Sequence, residues 1–105
     1  MIKDLNFTNF NTELAKGWVL VDYWAFWCIP CLTQDPIVQE LAEQLKGILN
    51  VAKVDINENK YIANERKIRN IPMLVLYHNG EEIERFAGLQ SKETILNNKH
   101  IKNLI

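Results

Sequence analysis

Val19-Leu20-Val21-Asp22-Tyr23-Trp24-Ala25 is apolar at every position but one, and the lack of alternation marks a strand covered on both faces. Farther along, the period changes. Ile37, Val38, Leu41 and Leu45 recur at helical spacing, which predicts a helix from Pro30 to Lys46 with Gly47 as its stop. Pro36 lies inside that helix and should remove one hydrogen bond and kink the axis. Ahead of the apolar strand, Phe7 to Lys16 reads as a short first helix, with Thr8 or Asn6 as N-cap and Gly17 just past its end.

Ile48 to Ile56 is a second strand, ended by Asn57-Glu58-Asn59, and Lys60 to Lys67 is a short helix. Pro72 cannot donate to a ladder, so it belongs at the start of the strand Met73 to Tyr77. His78-Asn79-Gly80-Glu81 is a hairpin signal that joins this strand to Glu82–Ala87. Ser91 to Leu104 closes the chain as one helix, with Ser91 as N-cap and Thr94 where a capping box would place Glu. This order gives an α/β protein. Its central mixed sheet has a parallel part and a C-terminal antiparallel hairpin, with helices on both faces. No repeat, linker or low-complexity segment interrupts it, so residues 1–105 are expected to form one domain.

Composition adds exclusions. With 48% hydrophobic and 24% charged residues the chain is of ordinary globular make-up. A net charge of -1 and scattered Lys and Arg point to neither a nucleic-acid nor a membrane partner. No apolar run is long enough for a membrane span, and Met1-Ile2-Lys3-Asp4-Leu5-Asn6 turns polar at once, unlike a secretory leader. The expected location is the cytoplasm.

The only two cysteines lie in Trp27-Cys28-Ile29-Pro30-Cys31, directly after the apolar strand and at the opening of the long helix. Two thiols so spaced can close a disulfide across one helical turn. The first of them meets the unpaired N–H groups and positive dipole end of the helix, which favour thiolate. Pro30 suits a first turn, where its missing N–H costs nothing. The pattern points to thiol–disulfide exchange. A static disulfide or half of a zinc site are the alternatives. Zinc needs about four ligands, and only two distant histidines and scattered carboxylates remain, so no metal and no other cofactor is expected.

Asp22 is the second anomaly, a carboxylate inside an apolar strand, where an unpaired buried charge costs several kcal/mol. It either faces outward or is a proton acceptor whose pKa is raised by desolvation. Lys53, in Val51-Ala52-Lys53-Val54, is a comparable misfit; if the two strands are neighbours it would moderate that shift. His78 and His100 read as surface residues, and Trp24 as packing.

Val21-Asp22-Tyr23-Trp24-Ala25-Phe26-Trp27-Cys28-Ile29-Pro30-Cys31 resembles the active-site signature of the thioredoxin family. Pro36 matches the family's helix proline, Lys53 its strand lysine, Ile71-Pro72 its cis-proline turn and Gly88 its late glycine. The resemblance spans nearly the whole chain. It implies the thioredoxin fold, Cys28 as nucleophile, Cys31 as resolving thiol, and Asp22 with Lys53 in support of the resolving step. Trp27, Ile29, Pro30, Ile71, Pro72, Ala87 and Gly88 would form the substrate rim, with an extended segment held at Ile71 as an added strand. It further implies a monomer that reduces disulfides in protein substrates and is re-reduced by a thioredoxin reductase. An oxidase or isomerase, or a non-catalytic binding module, are the rival uses of the same fold. The chain departs from the common family pattern at Ile29 (glycine), Leu32 (lysine), Met73 (threonine) and Asn70 (a small residue), and Phe26 adds an aromatic, all of which make the rim more apolar.

Overall fold

The strand Trp18–Trp24 (β2) sits at the centre of a five-stranded sheet, as its continuous apolar pattern demands. The computed structural model describes residues 2–105. Around β2 lie Lys3–Asp4 (β1), Phe10–Leu14 (α1), Ile29–Gln44 (α2), Asn50–Asp55 (β3), Lys60–Glu65 (α3), Met73–His78 (β4), Glu81–Ala87 (β5), Lys92–Leu96 (α4) and Lys99–Lys102 (α5). The sheet order is β1-β3-β2-β4-β5. β3 runs parallel to β2, with Asp22 opposite Lys53, and β4 runs antiparallel, with Asp22 opposite Leu74.

Alternation along β2 divides two cores. Val19, Val21 and Tyr23 pack with Phe10 and Leu14 of α1 and with Ile62 and Ala63 of α3. Leu20 packs on the other side with Val38 and Leu41 of α2, Ile95 of α4 and Ile101 of α5. Each such fully buried Leu or Val contributes about 1.5–3 kcal/mol. The same alternation puts Asp22 on the face that α2 covers. The hairpin closes where the sequence places it: Asn79 and Gly80 take φ of 51° and 89°, the two left-handed positions of a type I′ turn. α2 is continuous through Pro36, which leaves the Leu32 carbonyl without its helical donor.

Three expectations are corrected and one short strand is added. The first helix starts at Phe10, with Asn9 as N-cap, because the Asn6 side chain accepts from the Thr8 N–H and hydroxyl and holds the preceding turn apart. The last helix is broken: Asn97 caps α4, and the Asn98 side chain accepts from the N–H groups of His100 and Ile101 to start α5 afresh. The two-residue strand β1 was not legible in the sequence and pairs with β3. His78 and His100, expected simply at the surface, are half-buried beside one ring: His78 stacks on Trp18 at 4.2 Å and His100 lies 6.3 Å from it. Among the described residues no helix is long and apolar enough to cross a membrane.

Candidate active site

Cys28 is the N-cap of α2. Its extended backbone lets Sγ accept the Cys31 N–H at 3.2 Å, the position a serine or aspartate oxygen fills in ordinary caps. Pro30 falls within the first turn, as expected, and is exposed. No acidic residue stands in that turn, so the dipole's positive end acts on Cys28 unopposed. The two cysteines are joined as a disulfide, with Cα atoms 5.2 Å apart. A helix-tip position alone would leave Cys28 exposed. It is only 6% exposed, against 2% for Cys31, because the cap folds Sγ back over the first turn. The opening lies around it, at Trp27 (59% exposed) and Ile29 (75%). Ala25 is buried with the pair, and Trp24, Ile56 and Ile71 pack against it.

Asp22 faces inward. It is 1% exposed, and neither carboxylate oxygen has a hydrogen-bond partner among the described residues. Burial pushes its carboxyl up to about 7; the Lys53 charge opposes the shift and that of Asp35 adds to it. Lys53 is beside Asp22 in the ladder, as anticipated, yet its ammonium is ion-paired to Asp35 on α2 and lies 4.6 Å from the centre of the Trp24 ring.

The Ile71–Pro72 bond is cis, as the family resemblance implied. Ile71 takes no part in the β2–β4 ladder, whose pairing begins at Met73, and its side chain packs against the cysteine pair. Ala87 is the exposed end of β5 opposite Met73, and the Gly88 N–H donates to the Pro72 carbonyl at 3.0 Å. Gly88 has φ of 79°, in the left-handed region that favours glycine. Ile71, Pro72, Ala87 and Gly88 are thus brought together, with Ile71 against the disulfide; Pro72, expected on the rim, is instead buried just ahead of β4. Trp27 instead lines an open cavity of 290 Å³ with Ile56, Lys60 and Ala63 on the α3 side. Ile29 projects from the first position of α2.

Two residues of this region were missed in the sequence. Asp35 could be found only from the position of Lys53. Gln34 had a signal: with Cys31, Val38, Leu41 and Leu45 it falls at core spacing on α2, and it is completely buried. Among the described residues no group of three or more His, Cys, Asp or Glu could hold a metal.

Comparison with known proteins agrees with this geometry. The family model described as Thioredoxin matches residues 1–101. A thioredoxin of Rickettsia felis is 46% identical over 98 residues, covering 91% of this chain and 93% of its own. A thioredoxin of Chlamydia pneumoniae is 39% identical over 102 residues, covering 95% and 99%. The solved structure of a point-mutant thioredoxin from Halobacterium salinarum superposes with a TM-score of 0.81 at 35% identity, over 89% of this chain and 82% of that one.

Proposed function

The chain belongs to the thioredoxin family and is a thiol–disulfide oxidoreductase with a Cys28–Cys31 redox pair, and from this premise we propose the role of each residue around that pair. The helix-tip setting of Cys28 carries the assignment: an Sγ that already receives a backbone N–H at 3.2 Å is favoured as thiolate. Cys28 thiolate attacks one sulfur of a substrate disulfide, and the other sulfur leaves as thiolate and takes up a proton. Cys31 gives its proton to the Asp22 carboxylate and attacks Cys28 Sγ. The mixed disulfide breaks, Cys28–Cys31 closes, and the substrate has gained two electrons. Lys53 moderates the Asp22 carboxyl, as its opposing charge implies.

The substrate's backbone runs past Ile71, which the sheet leaves outside its ladder, and lies against Ala87, Gly88 and the apolar rim of Ile29 and Pro30, with Trp27 at the α3 side and the buried Pro72 shaping the turn beneath. The 105 residues act as one domain and as a monomer. The work is electron transfer in the service of cell redox homeostasis. Its place is the cytoplasm, where a thioredoxin reductase returns two electrons and where thiols are kept reduced.

Equilibration of the Cys28–Cys31 pair with a glutathione buffer tests the direction of flow. A reductase should have the more negative potential and hold its disulfide against excess reduced glutathione. A pair that glutathione reduces fully would make the protein an oxidant and end the reductase reading.

A further inference from the structure

Gln34 lies one turn beyond Cys31, is 0% exposed, and uses both ends of its amide. Nε2 donates to the Gln90 carbonyl at 3.0 Å, and Oε1 accepts the Gln90 N–H at 2.8 Å. The side chain thereby pairs with Gln90 as a neighbouring strand would. The Gln90 side chain extends the line, since its Nε2 donates to the Ala87 carbonyl at 2.8 Å and to that of Gly88 at 3.4 Å. Gly88 N–H then donates to the Pro72 carbonyl. A continuous run of hydrogen bonds joins the helix that carries the cysteines to residues 87–90 and on to Pro72. Among the described residues no other hydrogen bond ties α2 to the segment 87–90.

A buried amide is an expensive way to fill a core position. Its desolvation is offset only if both ends are bonded, and an apolar side chain of similar volume would pack there without that demand. What the apolar side chain would lack is register. Gly88, at φ of 79°, turns the chain away from β5, and between there and α4, whose Ile95 packs with Val38 and Leu41, the Gln34 amide is the one hydrogen-bonded tie to α2 among the described residues.

We propose that Gln34 is a positioning residue for protein substrates: by clamping Gln90 it sets the place of Ala87 and Gly88 relative to Cys28 and Ile71, and so the width of the slot that receives an extended polypeptide. The inference rests on the docking of substrate backbone at Ile71 and Gly88 given above. A small disulfide needs only the sulfur atoms and not the slot. The loss of Gln34 should therefore separate the two kinds of substrate, which a defect in the cysteine pair or in folding would not do.

The test uses the pre-reduced protein and its rate constants with insulin and with 5,5′-dithiobis(2-nitrobenzoate), for Gln34→Met, Gln34→Glu and Ala87→Glu. Gln34→Met should slow the reaction with insulin roughly tenfold, the scale of one or two lost hydrogen bonds. The small disulfide should react within about twofold of the parent rate, as should equilibration with dithiothreitol, because the reacting sulfurs are untouched. Gln34→Glu keeps the acceptor for the Gln90 N–H and should fall between, which preserves the test if Gln34→Met does not fold. Equal slowing with both substrates, or none with either, would overturn the role of Gln34. Ala87→Glu places a charge on the exposed rim and tests the docking site itself. If it alone slows insulin, the docking site stands and the Gln34 proposal falls. If neither it nor Gln34→Met slows insulin, the docking site falls too.

Discussion

Asp22 and Lys53 stand side by side in the parallel β2–β3 ladder, yet the Lys53 ammonium is bound by Asp35 and not by Asp22. The buried acid is left with one cation that is shared and one further anion in range. Its proton affinity is the balance of three effects: burial, which dominates and raises it, Lys53, which lowers it, and Asp35, which raises it again. Asp35, one turn past Cys31, therefore favours the protonated Asp22 both by its own charge and by holding Lys53.

Removing Asp35 should lower the Asp22 pKa from about 7, because the like charge is gone and Lys53 is released from its ion pair. Lys53→Met should do the opposite and move the titration higher. Carboxyl-carbon NMR of Asp22 in the two variants measures both directions. Shifts of the same sign in the two would show that the triad does not govern this acid.

Asp22→Asn should raise stability while it slows exchange. The native carboxyl binds its proton more tightly than the unfolded one, at about 7 against 3.8, so unfolding releases protons between these values. The contribution of Asp22 to native stability is therefore complete below pH 4 and is lost as pH rises to about 7, after which the loss is constant. At about 1.4 kcal/mol for each pH unit, the Asn variant gains up to a few kcal/mol by neutral pH. Without its acceptor the resolving step should slow by roughly a hundredfold, the lower end for general-base catalysis, and lose its rise near pH 7. Denaturant unfolding across pH 4–8 and insulin reduction on one preparation provide the check. A variant that is less stable and equally active would make Asp22 a structural residue.

Legibility in the sequence followed how local each signal was. The apolar run of β2, broken only at Asp22, the cysteine spacing, the Asn79-Gly80 turn and the Ser91 cap each carry their cause within a few residues, and each is found in place. Lys3 and Asp4 are exposed and polar, so β1 exists only because the edge of β3 offers it partners. The break between α4 and α5 depends on Asn98, whose side chain both caps α5 and donates to Glu84 across the fold at 2.9 Å. At the site, Asp22 and Lys53 could be recognised as misfits in apolar strands. Their relation to Asp35 could not, since it depends on how α2 lies over the sheet. Gln34 shows the limit differently: its place in an apolar stripe was visible, but its partner is 56 residues away.

Every role assigned around the disulfide depends on the order of attack, with Cys28 first and Cys31 resolving. Replacement of Cys31 by Ser should leave a Cys28 that attacks but cannot be released. Incubation of the reduced variant with a protein disulfide, followed by intact mass and peptide mapping, should find a mixed disulfide through Cys28. The Cys28→Ser variant, with Cys31 at 2% exposure, should find none. A substrate adduct that forms through Cys31 and not through Cys28 would contradict this order.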